Sequence, residues 1–446
     1  MSAVTAEIRE PVASARPAPR QWVEHQAFPA FEQAEALRFQ WDELAERSGG
    51  DIFTTFDWCC TWWRHFGRGR TLRIHTYRDV QRRLVSVLPT FCEELRWGPS
   101  RLRVIRLVGA DHGVTPAGFL IQPGFERAVA DDFAKRLADE PRWDLVHFGE
   151  LAGYNAGYGA FAAELRRASP KVGVVHSPAD YPQMVFDLPK TFEQYLAGLS
   201  GSERSNIRKR ERRLAQKHRV EVSVVPARDL PRHFGAFAAQ HERQWRHEGR
   251  LGHFLDWPGA MAFHRDLLRA LGDQGRVMLV RFAADEEIVG YQYNLAFNGR
   301  MHWVIGSRSL DPKWDEYSPG RLLHCGTVRA AIGAGAEQLD ALGGYYEFKR
   351  RLGAKVLGLQ SIRIVNPSRR SRLRLRLFAL MTRLIDTVYH RAWYWHLAPW
   401  IRKNPRFGSR INLQQGLRTR FLRARFLVAA RRPRSHQASV GAANDV

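Results

Sequence analysis

Residues 301–353 read MHWVIGSRSLDPKWDEYSPGRLLHCGTVRAAIGAGAEQLDALGGYYEFKRRLG. The apolar run Met301–Ile305 predicts a buried strand, and the polar segment Gly306–Tyr317 predicts a loop after it. The next residues are typical of a helix start, with Ser318 at the N-cap and Pro319 in the first turn, where a missing N–H costs nothing. The stretch therefore begins as a strand, a loop and a helix.

The rest of the stretch completes a strand–helix–strand unit. The helix has an apolar stripe, and glycines 333 and 335 end it. Residues 337–342 predict a short second strand, and the loop 343–349 that follows carries one lysine. Because the first N–H groups of a helix are free, its start can bind phosphate groups. The unit thus combines an anion-binding helix start with a nearby cation.

The motifs of this stretch resemble a known family. YSPGRLL, a helix, a strand ending near Asp340 and then GG-x-x-E-x-K-R-R-x-G are similar to the BioF2-like acetyltransferase domain of the GNAT superfamily. That domain occurs in CelD/BcsL-type proteins of cellulose and exopolysaccharide synthesis and is related to the FemAB peptidyltransferases. The family ending is close to D-x-x-x-G-x-E-x-Y-K-x-x-x-G. Here Phe348 stands where the family often has Tyr, and Glu347 stands one place later than the usual acid.

The resemblance covers about residues 21–365 and is strongest over 181–353. In the N-terminal half, DIFTTFDWCCTWW (residues 51–63) is similar to the family pattern S-x-F-x-x-x-x-W-x-x-x-W-W. The resemblance implies an α/β (α+β) fold of tandem GNAT-like domains, acyl-CoA N-acyltransferase in type. We therefore expect four parts: a disordered segment 1–20, an N-terminal GNAT-like domain 21–180, a C-terminal GNAT-like domain 181–365 and a basic, amphipathic, aromatic tail 366–446.

Three charged residues near the end of the stretch are the catalytic candidates. The resemblance implies that Lys349 lies in the catalytic cleft, where a cation can stabilise an oxyanion or hold a phosphate. The alternative is a surface lysine in the KRR run. Asp340 and Glu347 are the candidates for the base that assists deprotonation of the acceptor. The alternative for Asp340 is a strand-end acid that caps a turn.

The helix start is the candidate cofactor site. Ser318, Gly320 and Arg321, with Arg308 upstream, can hold the pyrophosphate of coenzyme A through amides and charge-assisted bonds. The alternative is an ordinary helix cap, and the glycine-rich pyrophosphate loop of typical GNAT enzymes is missing. The resemblance implies acetyl-CoA, or another acyl-CoA, as the donor. No H-E-x-x-H, Cys/His cluster or G-x-S-x-G pattern is present, so we expect no metal and no nucleophile elbow.

Four further residues are candidates for contact with the acceptor. Gln292 and Asn294 alternate on a predicted strand and share one face. A buried polar pair needs hydrogen-bond partners, which a substrate can supply, whereas an exposed strand face is the alternative. Tyr317 can donate a proton to a leaving group and Tyr346 can line an acceptor pocket, or both can simply pack.

Two basic segments indicate anionic partners. The helix SERSNIRKRERRLAQKHR carries Arg204 and Arg208, which match a basic family motif and can bind a phosphorylated acceptor or form a solvated face. Residues 366–436 carry eighteen Lys or Arg and one acid, a net +17 of the chain's +24. Arginine mixed with leucine and tryptophan favours an anionic membrane surface. A protein-binding or disordered arm is the second alternative, and nucleic acid is the least favoured.

Composition sets the remaining limits. The chain has 446 residues with 44% hydrophobic residues, as in a globular protein of two or three domains. Four cysteines without a C-x-x-C pair, no signal-like N-terminus and no spanning segment predict a cytoplasmic protein, which the tail can hold at the inner face of the membrane.

These observations predict an acyltransferase. It would move an acyl group, acetyl in the simplest case, from acyl-CoA to an amine or hydroxyl of a saccharide or cell-envelope precursor, in exopolysaccharide or cellulose synthesis. The first alternative is a FemAB-type peptidyl transfer that uses aminoacyl-tRNA. The second is a non-catalytic GNAT scaffold for a polysaccharide synthase.

Overall fold

The protein is described by a computed structural model. It covers residues 22–97, 100–110, 116–140, 142–169, 173–403, 421 and 423–427. Within these residues, thirteen strands form one continuous mixed sheet, and helices pack against it.

The N-terminal half supplies seven strands and four helices of the described chain. The strands are β1 (Glu24–Phe28), β2 (Thr71–Arg78), β3 (Leu84–Trp97), β4 (Ser100–Leu107), β5 (Leu120–Ile121), β6 (Leu145–Leu151) and β7 (Gly173–Asp187). The helices are α1 (Arg38–Arg47), α2 (Phe56–Phe66), α3 (Glu126–Asp139) and α4 (Gly157–Ala168).

The C-terminal half has the same kinds of element. The strands are β8 (Val220–Val224), β9 (Val277–Ala284), β10 (Glu287–Phe297), β11 (Arg300–Arg308), β12 (Gln338–Gly343) and β13 (Lys355–Val365). The helices are α5 (Phe192–Ala197), α6 (Gly201–Lys217), α7 (Leu230–His247), α8 (His253–Asp256), α9 (Ala260–Leu271), α10 (Pro319–Gly333) and α11 (Glu347–Arg351). The tail adds α12 (Arg369–Ile385), a π-helical segment (Asp386–Leu397) and α13 (Ala398–Lys403).

The two halves exchange their last strands. The sheet order is β1-β2-β3-β4-β6-β13-β7-β12-β11-β10-β9-β8, with β5 beside β3. Each half contains one parallel pair, β4 with β6 and β11 with β12. β7 then pairs with β12, and β13 pairs with both β6 and β7. The expected domain boundary at 180/181 lies inside β7, so neither half completes its sheet without the other.

The halves also share a hydrophobic core. Trp58 and Trp62 of α2 are almost fully buried, as their density in the sequence predicts. The rings of Phe66 and Phe263, from α2 and α9, lie with their centroids 5.2 Å apart. Aromatic side chains bury large apolar areas, so this contact stabilises one half against the other.

A close backbone contact joins the loop after β6 to β13. A Cβ atom on Gly153 would lie 2.3 Å from the carbonyl oxygen of Gly358. We expect Gly153→Ala to lower the free energy of unfolding by about 1–3 kcal/mol, because backbone must move to relieve the clash. Urea denaturation measures the change. Gly358→Ala is the matched control, since a Cβ there meets nothing within 4 Å. Equal midpoints for the two variants would contradict the prediction.

Candidate active site

The site lies where two parallel strands separate. β11 and β12 pair over only three residue pairs, the last of which joins His302 to Asp340. Beyond that point β11 stays with β10 as far as Arg308, and β12 stays with β7 as far as Gly343. The strands therefore open into a gap, called the wedge below. Because α10 runs back from the end of β11 to the start of β12, its N-terminus lies on the open side of the wedge. Crevices at the carboxyl ends of parallel strands are the usual ligand sites of α/β sheets.

Asp340 is the last paired residue before the wedge, and its side chain is fully buried. Gln183 donates a hydrogen bond of 2.5 Å to Oδ2, and the backbone N–H of Leu342 donates one of 2.8 Å to Oδ1. Leu342 has a φ of +60°, so the carboxylate stabilises a left-handed turn at the end of β12. The turn-capping role that the sequence allowed is present, and the carboxylate also lies beside His302 and near Lys349.

Lys349 is a buried cation rather than a surface lysine. It lies on α11, a short helix in place of part of the predicted loop, and is 9% exposed. Its Nζ donates a hydrogen bond of 2.9 Å to the carbonyl oxygen of Ala341, the first residue of β12 past the last pair. It also lies 5.1 Å from the ring centroid of Trp303 and 4.7 Å from that of Tyr346, within cation–π range. Burial lowers the pKa of Lys349 to about 8, and the charge of Asp340 opposes that shift.

Two buried histidines flank the lysine and the aspartate. Nδ1 of His302 lies 3.3 Å from Oδ2 of Asp340. Its orientation is not that of a hydrogen bond, so neither ring nitrogen has a hydrogen-bond partner among the described residues. Nε2 of His324 lies 2.9 Å from the hydroxyl of Tyr195. Burial, and then the charge of Lys349, lower the pKa of His324 to about 3, so this ring is neutral at physiological pH. Neither histidine stands out in the sequence, because single histidines in a strand or helix carry no signal of their own.

A polar network connects the wedge to the N-terminal half. Oε1 of Gln183 accepts a hydrogen bond of 3.2 Å from the N–H of Gly153. The neighbouring Tyr154 donates one of 2.7 Å to Asp51, and the guanidinium of Arg300 lies 3.6 Å from its ring centroid. Asp51 is the first residue of the DIFTTFDWCC motif, so this motif contributes a hydrogen bond to the polar network as well as side chains to the core. None of these contacts could be inferred from spacing, since they join residues from separate elements.

Glu347 faces away from this buried group. Its side chain is 44% exposed and forms ion pairs with Arg350 at 2.6 Å and with Arg351 at 3.5 Å. Tyr345 donates a further hydrogen bond of 2.8 Å to it. These partners, Arg350 first, lower the pKa of Glu347 to about 2. The two acids predicted near Lys349 therefore have opposite surroundings.

Three of the predicted cofactor residues lie at the start of α10, and the fourth, Arg308, is the last residue of β11. Ser318 is at the N-cap, as the sequence predicts, with a φ of +52° and without a capping hydrogen bond from its side chain. Gly320 is exposed, with open space where a Cβ would lie. Arg321 forms an ion pair of 2.6 Å with Glu203 of α6, and Arg308 forms one of 3.3 Å with Asp315. Both arginines are thus held by acids at this helix start.

The predicted acceptor residues are mostly buried. Gln292 and Asn294 are 2% and 0% exposed, so the alternative of an exposed strand face is wrong. Asn294 donates to the carbonyl oxygens of Met278 and Gln292, whereas its Oδ1 has no partner among the described residues. Tyr317 packs in the core, and Tyr346 is half-buried against Lys349.

The two predicted arginines of α6 differ in their contacts. Arg204 is half-buried and donates a hydrogen bond of 3.1 Å to the carbonyl oxygen of Ala197. Arg208 is exposed, as expected for a solvated face.

The corresponding place in the N-terminal half is filled by the tail. β4 and β6 also pair over three residue pairs, the last of which joins Arg106 to His147. Here the ring of Phe426 stacks on His147, with centroids 4.4 Å apart, and the guanidinium of Arg106 lies 4.6 Å from the ring centroid of Phe426. Among residues 152–169, which the structure describes after β6, there is no lysine, and Phe426 of the tail occupies this place.

Two cavities lie elsewhere. One, of about 280 Å³, is lined by residues of α3, α4 and β13, and another, of about 200 Å³, lies between α6 and β8. Neither includes Lys349 or Asp340. In the part of the chain that the structure describes, no group of three or more His, Cys, Asp or Glu side chains is placed to hold a metal ion.

Comparison with known proteins finds a family that is similar to the C-terminal half. Residues 201–350 match the acetyltransferase (GNAT) domain family. This region is therefore similar to GNAT acetyltransferases. The wedge, α10 and Lys349 all fall within the matched region, and the predicted enzyme class, an acyltransferase, is confirmed. None of the curated proteins is significantly similar in sequence to the chain.

Solved structures extend the comparison of the fold to both halves of the chain. FemX is similar with a TM-score of 0.57 at 13% identity, over 75% of this chain and 98% of FemX. The C-terminal domain of a putative lysylphosphatidylglycerol synthetase from Agrobacterium fabrum has a TM-score of 0.45 at 12% identity, over 79% of this chain and 96% of that domain. A tandem GNAT protein from the clavulanic acid biosynthesis pathway has a TM-score of 0.41 at 12% identity, over 78% and 99%. The predicted α/β fold is confirmed by the mixed sheet and by the similarity in fold to FemX, and the GNAT-like character of the C-terminal half by the family match.

Proposed function

We propose that this GNAT acyltransferase moves an acyl group, acetyl in the simplest case, from acyl-CoA to an amine or hydroxyl of a saccharide or another cell-envelope precursor. A role of the CelD/BcsL type, in exopolysaccharide or cellulose synthesis, is the specific form of this proposal. The observation that carries it is the desolvated Lys349 beside Asp340 at the wedge of the GNAT domain. An acceptor at the cell envelope would also account for the basic tail.

Lys349 is suited to stabilise the charge that forms during acyl transfer. Because the pKa of Lys349 is about 8, its amine is mostly protonated at neutral pH. An ammonium group has three donors, and the described contacts use one of them, on Ala341. A cation in a water-poor site interacts strongly with a developing oxyanion, because little solvent screens the pair. We therefore propose that Lys349 stabilises the negative charge that develops on the thioester carbonyl oxygen.

Asp340 is the better of the two predicted bases. A base with a pKa of about 2, as for Glu347, is a weak acceptor of the proton that leaves an amine or hydroxyl. Asp340 is buried beside His302, whose ring nitrogens have no hydrogen-bond partner among the described residues. We assign the proton acceptor to this pair, with Asp340 orienting the ring.

The reaction would then be a direct displacement. The acceptor nitrogen or oxygen attacks the thioester carbonyl carbon, the C–S bond breaks, and the coenzyme leaves as a thiolate. The acceptor proton passes to the Asp340–His302 pair. The new amide or ester carries the acyl group, so no covalent enzyme intermediate is needed.

The start of α10 is the proposed donor site. The exposed Gly320 amide would take a phosphate oxygen, and Arg321 and Arg308 would add charge. Each arginine would share its charge with the acid that now holds it, Glu203 or Asp315.

Calorimetry with acetyl-CoA tests this donor site. We expect binding by the unaltered protein and a Kd about 10- to 100-fold higher for Arg321→Ala, the effect of losing a charge-assisted hydrogen bond. Arg329→Ala is the matched control, because Arg329 also lies on α10 and pairs with an acid of α6, Glu211, at 2.8 Å. It should bind acetyl-CoA as the unaltered protein does. Absence of acetyl-CoA binding would overturn the proposed donor.

The alternative donor is aminoacyl-tRNA, as in the FemAB relatives that the sequence resembles. Transfer of a labelled acetyl group that resists ribonuclease would support acyl-CoA. Co-purified RNA and loss of transfer after ribonuclease treatment would instead assign the donor to aminoacyl-tRNA.

A further inference from the structure

The tail helix α12 has one face packed on the sheet. Phe378 and Thr382 are fully buried, and the partly buried Leu375, Met381 and Ile385 pack beside Phe378. They contact a cluster that includes Leu95, Trp97, Leu102 and Val104 of β3 and β4. This face fixes the orientation of α12, so the opposite face points to solvent.

The opposite face exposes a continuous row of large apolar side chains. This leucine stripe consists of Leu373 (59% exposed), Leu377 (44%), Leu380 (65%) and Leu384 (65%) of α12, and of Val388 (61%) in the π-helical segment that continues it. Steps of four and three residues place these side chains along one side of a helix. Single exposed leucines are ordinary, but a row of this length on one helix face marks an interaction surface.

Arginines border the leucine stripe on both sides. At about 100° per residue, Arg370 falls on one side of it and Arg369, Arg372, Arg376 and Arg383 fall on the other. All five are exposed, and none has an ion-pair partner among the described residues. α12 itself contains no acidic residue.

We propose that the solvent face of α12 docks onto an anionic membrane surface, with the leucine stripe in the acyl boundary and the arginines among the headgroups. An amphipathic helix with a basic polar face lies in the plane of a bilayer interface in this way. Among the described residues, none of the helices has the length and apolar composition that a spanning segment requires. A nucleic acid would use the arginines but leave the five apolar side chains in water, and so it accounts for half of the surface only.

Vesicle flotation of the full chain tests the docking. The probes are vesicles of phosphatidylcholine alone and vesicles with about a third phosphatidylglycerol. We expect binding to the anionic vesicles that weakens in high salt. The variant Leu373→Ser, Leu377→Ser, Leu380→Ser, Leu384→Ser should lose at least about tenfold in partitioning, because little apolar area is left to insert. These four positions are exposed, so the thermal midpoint should not change.

A charge variant with a matched control completes the test. We expect Arg369→Gln, Arg372→Gln, Arg376→Gln to lower partitioning into anionic vesicles about tenfold or more. Arg82→Gln, Arg228→Gln, Arg269→Gln removes the same charge from exposed sites elsewhere and should bind as the unaltered chain does. Since acyl transfer does not enter the readout, failure here is distinct from failure of the proposed reaction.

Three outcomes would overturn the proposal. One is equal partitioning of the serine variant and the unaltered chain. Another is RNA binding that depends on the arginines but not on the leucines, without vesicle binding. The third is a dimer in solution that the serine variant dissociates, which would make a second copy the occupant of the stripe.

Discussion

Replacement of Lys349 by methionine should lower kcat for acyl transfer by about 10²- to 10³-fold, the usual cost of losing an oxyanion donor. Methionine keeps an unbranched apolar chain between Trp303 and Tyr346 and removes only the charge and the hydrogen bond to Ala341. A steady-state assay with labelled acetyl-CoA measures the change. Arg350→Gln is the control, because Arg350 is exposed in the ion pair with Glu347 and should retain activity within about twofold.

The same substitution should change the pH profile. The ammonium is the active form, so activity of the unaltered enzyme should fall as pH rises through about 8, the pKa of Lys349. The methionine variant should lack that limb. Burial lowers the folded-state pKa below the ordinary value of 10.5, so between these two values the unfolded chain binds more protons. The free energy of unfolding should therefore rise with pH across that window, and this rise should be absent in the variant. An unaltered pH profile would exclude Lys349 as the active cation.

Asp340→Asn should be the second severe variant, with a loss of about 10²- to 10⁴-fold in kcat. The amide has nearly the shape of the carboxylate, and it can still accept the N–H of Leu342. The amide carries no charge that could orient the His302 ring or stabilise its protonated form. The pair at positions 340 and 302 should therefore no longer take up the proton of the acceptor. Transfer assays and acetyl-CoA calorimetry together separate this loss from a loss of donor binding.

Glu347→Gln is the comparison that decides between the two predicted acids. Its ion pairs are at the surface, where such pairs contribute about 0–1 kcal/mol, and its low pKa makes it a poor base. We expect activity within about twofold of the unaltered enzyme. Severe loss in Glu347→Gln with an active Asp340→Asn variant would reverse the assignment.

The secondary structure of residues 301–353 could be predicted because its sequence signals are local. The apolar run before residue 306 became β11, and the Ser-Pro start became the N-terminus of α10, since each depends on neighbours within one turn or strand. The lysine was found through the family motif. Its burial was not, because Trp303 lies on β11, which meets α11 only in the folded chain.

Glu347 shows that a motif position does not determine which way a side chain points. Motif position placed it beside Lys349 in sequence, and both residues lie on α11. Neighbouring residues of a helix project in different directions, so the lysine enters the core while the glutamate meets Arg350 and Arg351 at the surface. The partners of Asp340, namely Gln183 and His302, are remote in sequence or unremarkable in pattern, and no spacing rule selects them.

By itself, the sequence determined the strand–helix–strand unit and the basic character of the tail, because periodicity, caps and charge are properties of contiguous residues. The acyltransferase class came from the resemblance of its motifs to a known family. Only the tertiary structure decided that β13 lies between β6 and β7, that the wedge opens after His302 and Asp340, and that α12 exposes the leucine stripe. Those outcomes depend on which remote surfaces exclude water from one another, and a linear pattern does not specify such pairings.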